Sequence, residues 1–162
     1  MRIIVVSDTH GNINSFLKAI KNMGQFDLLI HLGDYAKDGE QLKSTLSIPT
    51  VIVKGNGDPG SPYNEDELLE IGGKKIFLTH GHRHNIIRDY TSLYYKGLEI
   101  GADIVLYGHT HIPFNIKENE LIIMNPGSAS LPRTSDRIRT FGIINIRDTI
   151  ETEIVNMEDL LR

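Results

Sequence analysis

Five short apolar runs in this chain each stop on a residue that can ligate a metal. "RIIVVSD" (2–8) ends on Asp8, "LLIHLGD" (28–34) on Asp34, "TVIVKGN" (50–56) on Asn56, "KKIFLTH" (74–80) on His80 and "DIVLYGH" (103–109) on His109. Runs this short, continuous and rich in β-branched residues read as strands covered on both faces. Helical periodicity falls between them. Phe16, Leu17, Ile20 and Met23 share one face, with Lys18, Lys21 and Asn22 opposite, and further helices are expected over 39–46 and 92–100. Residues 55–67, "GNGDPGSPYNEDE", are rich in Gly and Pro and read as loop. After Pro113 the pattern changes to strands joined only by turns, at 121–124, 140–146 and 150–155. The fold class is α/β, and either one mixed sheet or two packed sheets with helices outside would accommodate both halves.

Composition narrows the classes of function. A chain of 162 residues fits one domain, expected to span 1–162. Its 17 basic and 21 acidic residues give a net charge of −4 with no basic block, which argues against a dedicated nucleic-acid surface. There is no cysteine, so thiolate metal sites and thiol nucleophiles are excluded. The opening apolar run is too short for a signal peptide, and no run approaches the roughly 20 residues of a membrane span. A cytoplasmic protein with no membrane partner is expected; homo-oligomerisation is left open.

Polar residues continue just past each strand end: His10 after Asp8, Asp58 after Asn56, His82 after His80, His111 after His109. In open α/β sheets ligands bind outside the carboxyl ends of the strands, so five segments deliver Asp, Asn and His to one edge. Each signal alone is commonplace, because Asp caps helices and Asn-Gly makes tight turns. Five at successive strand ends point to a metal centre. Imidazole mixed with carboxylate and amide oxygen suits Mn, Fe, Co, Ni or Zn rather than Mg or Ca. The set is too large for one ion and suits two sharing a carboxylate, roughly 3.5–4 Å apart, as in two-metal hydrolases. Such a pair would bind an anionic phosphate ester and convert a bridging water to hydroxide near neutral pH. His31, inside its strand, reads instead as a packed core histidine, and His84 as solvated.

"SDTHGN" (7–12), "HLGDY" (31–35), "VKGNGD" (53–58), "LTHGH" (78–82) and "YGHTH" (107–111) resemble, in order, the five blocks of the calcineurin-like metallophosphoesterases. The small size and "NPGSASLPR" (125–133) resemble the compact bacterial and archaeal phosphodiesterase branch. The resemblance implies a four-layer α/β/β/α sandwich of two mixed sheets flanked by helices. It implies two divalent transition-metal ions, Mn²⁺ foremost with Ni²⁺, Fe²⁺, Co²⁺ or Zn²⁺ as alternatives. Carried over by position, Asp8, His10, Asp34 and His111 would hold one ion. Asp34, Asn56, His80 and His109 would hold the other, with Asp34 bridging. His82 and Asp58 fall beside the metals and are the candidate catalytic residues.

Many members carry histidine directly after the Asn of the third block, where it protonates the leaving alkoxide; here that residue is Gly57. Losing a general acid worth roughly 10²–10⁴-fold weighs against poor leaving groups and so against a phosphomonoesterase. The expected function is hydrolysis of a small phosphodiester by a metal-bridging hydroxide. The rival reading is a non-catalytic scaffold on the same fold, like the retromer subunit that resembles this family. Such a scaffold would be expected to have lost ligands, and all seven are present.

Overall fold

The computed structural model describes residues 1–162. The elements run β1 (Arg2–Val6), α1 (Asn14–Ile20), β2 (Leu28–His31), α2 (Ala36–Leu46), β3 (Thr50–Ile52), β4 (Asp66–Ile71), β5 (Lys74–Thr79), α3 (Thr91–Ile100), β6 (Ile104–Leu106), β7 (Phe114–Glu118), β8 (Leu121–Asn125), β9 (Thr140–Ile146), β10 (Ile150–Asn156) and α4 (Met157–Leu160). They build two five-stranded sheets, ordered β10-β9-β1-β2-β3 and β4-β5-β6-β8-β7. Both are mixed: β1, β2 and β3 run parallel, as do β5, β6 and β8, while β9, β10, β4 and β7 pair antiparallel.

The sheets pack face to face through a core that includes Ile3, Val5 and Ile30 from one and Ile76, Leu78 and Ile104 from the other. Phe16 and Ile20 of α1, Leu42 of α2 and Met157 of α4 cover the outer face of the first sheet, against Ile4 and Phe141. Leu93 of α3 covers the second, against Phe77 and Val105. The result is the four-layer α/β/β/α sandwich, and it settles the choice between one sheet and two. Alternate residues of β1 and β5 face opposite layers, so both faces must be apolar; the unbroken runs reflect that demand. No helix is long and apolar enough to cross a membrane.

Two strands escaped the sequence reading. β4 and β7 are the two edges of the second sheet. Their burial alternates between partly buried and exposed, so charged residues interrupt the apolar pattern; the loop expected to reach residue 67 ends where β4 begins. Helix α2 also starts earlier than expected, at Ala36, since Tyr35 turns the chain with φ 76°.

His31 is a core residue, fully buried in β2. Its Nδ1 accepts from the Gly33 N–H at 3.2 Å, which leaves Nε2 to donate to Thr9 Oγ1 at 3.0 Å. Burial pushes its pKa down to about 4, against the opposing pull of Asp38, Asp58 and Asp8. The folded state therefore holds this imidazole neutral, while the unfolded chain protonates it near 6.5. The stability it contributes is complete above about pH 6.5 and is lost as pH falls from there towards 4, by about 3 kcal/mol in all. Urea unfolding of chelated protein at pH 7 and pH 4.5 should show the parent losing more stability than His31→Gln, whose amide can keep both bonds. Equal losses in the two proteins would contradict this. His84 is not simply solvated: it pairs with Asp66 at 3.4 Å and meets the Phe77 ring edge-on.

Candidate metal centre

The carboxyl ends of β1, β2 and β3 meet those of β5 and β6 along one edge of the sandwich, where contacts between the sheets fix the site. His80, just past β5, donates from Nδ1 to Leu32 O at 2.7 Å. The His109 N–H, after β6, donates to Asp8 Oδ2 at 3.1 Å, and the Ser7 hydroxyl donates to the same oxygen at 2.6 Å. His111 donates from Nδ1 to Leu131 O at 2.6 Å. In His80 and His111 the Nδ1 proton is thus committed to a carbonyl, and Nε2 presents its lone pair to the interior of the site. Metal-ligating histidines are fixed in the same way.

Four residues converge. Ligand atoms of Asp8, His10, Asp34 and His111 lie within 4.8 Å of one another. His111 Nε2 is 3.1 Å from Asp8 Oδ1, and His10 Nε2 is 3.3 Å from His111 Nε2. Asp34 faces both ways, with Oδ2 3.9 Å from His10 Nε2 and Oδ1 3.3 Å from His80 Nε2. The His109 ring stands against His80, centroids 5.1 Å apart. Asn56 lies exposed in the turn after β3, and its side chain makes no hydrogen bond within the protein.

The donor set fits a cation. Asp8 Oδ1 and His80 Nε2 are buried without a hydrogen-bond partner, a state that costs about 1–3 kcal/mol per group unless something fills it. Burial works to raise the Asp8 pKa, but the neighbouring His111 and His80 imidazoles hold it below the usual carboxylate range, and Asp8 in turn raises that of His111 against its burial. Burial and His80 push His109 and His82 down, which keeps both imidazoles neutral at pH 7. Ionised carboxylate and neutral imidazole are the protonation states that bind metal.

Backbone strain concentrates here. Asp8, His10, Asp34, His109 and His111 all have positive φ, between 46° and 67°, a conformation costing side-chain-bearing residues roughly 1–2 kcal/mol each. Unpaired strand ends, strained backbone and orphaned polar atoms in one place mark a functional site rather than a packing solution.

Several supporting residues act through the backbone. Asp58 accepts from the N–H groups of Tyr35, Ala36 and Gly55 at 2.7–2.9 Å, so its carboxylate ties the β2 and β3 loops together. Asn125, buried at the end of β8, donates to Gly108 O and Thr110 Oγ1 and holds the loop of His109 and His111. Ser128 Oγ donates to Asp8 O at 2.8 Å and accepts from the N–H groups of Ser130 and Leu131. Sequence reasoning did not single out Asn125 and Ser128, although both lie in the "NPGSASLPR" segment that carries part of the family resemblance. His82 is half-buried beside the cluster, its ring 5.5 Å from that of His80 and 6.3 Å from that of His109. Tyr35 closes the opposite flank, 5.4 Å from the His10 ring.

The Calcineurin-like phosphoesterase superfamily domain matches residues 1–149. The chain is 34% identical to the probable metallophosphoesterase YsnB of Bacillus subtilis, over 94% of this chain and 88% of that protein. It is 28% identical to phosphodiesterase MJ0936 of Methanocaldococcus jannaschii, covering 96% and 99% of the two. A crystal structure of a Vps29 single mutant from Entamoeba histolytica superposes with a TM-score of 0.79 at 25% identity, covering 96% and 99%. With the sandwich, the converging carboxylates and histidines, and a domain match over nearly the whole chain all in agreement, this protein belongs to the calcineurin-like phosphoesterase superfamily.

Proposed function

We propose that this chain hydrolyses phosphodiesters with the help of two divalent transition-metal ions, Mn²⁺ foremost. The observation that supports the reading most strongly is the pair of buried, unpartnered atoms, Asp8 Oδ1 and His80 Nε2, on either side of Asp34. Asp8, His10, Asp34 and His111 would hold one ion; Asp34, Asn56, His80 and His109 would hold the other. Bound there, the ions would supply positive charge for the phosphate and lower the pKa of water towards neutrality.

The chain's own groups set the rest. Ser7 and the His109 N–H hold Asp8 with Oδ1 turned inward. Asp58 acts as a positioning residue, because its oxygens are engaged by three backbone N–H groups. His82, neutral at pH 7, would orient the leaving oxygen through a ring N–H; it is a weak source of a whole proton. Gly57 adds no acid. A site without a strong proton donor favours leaving groups that depart unprotonated, and it favours a diester, with one negative charge less than a monoester.

Initial rates on an aryl phosphodiester and its matching aryl and alkyl monoesters, with Mn²⁺ present, test this reading. The diester should be cleaved fastest and the alkyl monoester slowest. A clear preference for alkyl monoesters would identify a phosphomonoesterase instead. The second reading is a non-catalytic scaffold on the same fold, and metal binding without turnover of any ester would favour it.

A further inference from the structure

Beside the metal centre lies a cleft of about 550 Å³, with His111 as one wall and residues 130–133, Arg137 and Arg139 as the rest. Three arginines line it. Arg139 is already neutralised, its guanidinium forked on Glu158 at 2.8 and 3.0 Å. Arg133 and Arg137 pair with no carboxylate. The acid between them, Asp136, accepts instead from the Ile138 N–H. Two unpaired guanidinium groups in one cleft are unusual on a chain whose net charge is −4, and they give this face a local positive field.

The cleft is continuous with the cluster. His111 belongs to both. The Arg133 N–H donates to His111 O at 3.2 Å, and its Nη1 reaches His109 O at 3.4 Å. The loop is built in advance of any ligand: buried Ser128 bonds Asp8 O on one side and two loop N–H groups on the other. A guanidinium fork is the side chain best matched to phosphate oxygens, and the volume suits a small ligand group.

We propose that this cleft is a second anion subsite, in which Arg133 and Arg137 hold a terminal phosphate of the substrate while its ester phosphorus lies at the carboxylate–histidine cluster. The substrate class is then a small ester carrying two phosphates a few bonds apart. The proposal rests on the phosphoester reading of the neighbouring cluster.

Calorimetric titration of Mn²⁺-loaded protein with propane-1,3-diol bisphosphate and with 3-hydroxypropyl phosphate tests it without reliance on turnover. The parent should bind the bisphosphate at least about tenfold more tightly. Arg137→Gln removes a side chain that makes no hydrogen bond in the protein, so it should lower that ratio without disturbing the His109 loop. Arg133→Gln/Arg137→Gln should bring it close to one, and Arg147→Gln, at a remote exposed position, should leave it as in the parent. A parent ratio near one, no binding of either compound, or a ratio unchanged in the double variant would overturn the proposal. Ester hydrolysis with a parent ratio of one would remove the subsite and leave the phosphoesterase; a high ratio with no ester hydrolysed would do the reverse.

Discussion

Asp34→Asn should lower ester hydrolysis by at least about a hundredfold while leaving the fold intact. Asparagine is isosteric and tolerates the left-handed conformation that Asp34 adopts, φ 52°. Its carbonyl can still accept the Gly57 N–H, now bound to Asp34 Oδ1 at 2.7 Å. What is lost is the charge shared between the His10 and His80 sides of the site. An amide nitrogen would also point at one of them, and it offers no lone pair to a cation. Loss of groups that merely orient ligands already reduces affinity or activity about 10–100-fold, and in the proposed centre Asp34 would serve two ions. Urea unfolding of the chelated variant should match or exceed the parent's stability, because a buried negative charge has gone. Turnover within threefold of the parent, at the parent's metal content, would remove Asp34 from the centre of the account.

The second large effect is expected at Gly55. A Cβ there would lie 2.6 Å from Asp34 N and closer still to Asp34 Oδ1. Neither atom can retreat, since one is backbone and the other is held by the Gly57 N–H. Gly55→Ala should therefore destabilise the protein by about 1–3 kcal/mol, as overpacking of a rigid site does, and should weaken metal binding together with it. Gly57 is the internal comparison. A Cβ on Gly57 would stand 3.0 Å from Asp34 Oδ1, and its φ is not positive, so Gly57→Ala requires a shift of only a few tenths of an ångström. Urea midpoints of the two variants should order as Gly57→Ala above Gly55→Ala; the reverse order would mean that Asp34 moves freely.

The sequence was legible where burial is two-sided. β1, β2, β5 and β6 lie between layers, so their apolar runs are unbroken and the next residue marks the strand end. That is why the sequence alone places Asp8, Asp34, His80 and His109 on one edge. The edge strands β4 and β7 were hidden because one face of each meets solvent and carries Glu, Lys and Asn. Asp58 falls beside the metals by its motif position, and only the structure shows that its carboxylate accepts from three backbone N–H groups. The arginine cleft was hidden for a different reason. Arg133, Arg137 and Arg139 are ordinary in composition, and only the pairing of Arg139 with Glu158 shows which two remain free.

Metal content tests most directly whether these strand ends hold two ions, as proposed. Protein purified without added metal should be analysed for bound metals, chelated to below one tenth of an equivalent, and titrated with Mn²⁺ and separately with Ca²⁺ while diester hydrolysis is followed. Chelation should abolish activity, and Mn²⁺ should restore it far better than Ca²⁺, with saturation near two equivalents per chain. Full activity in the metal-free sample, or saturation at one equivalent with Asp34→Asn still active, would contradict it.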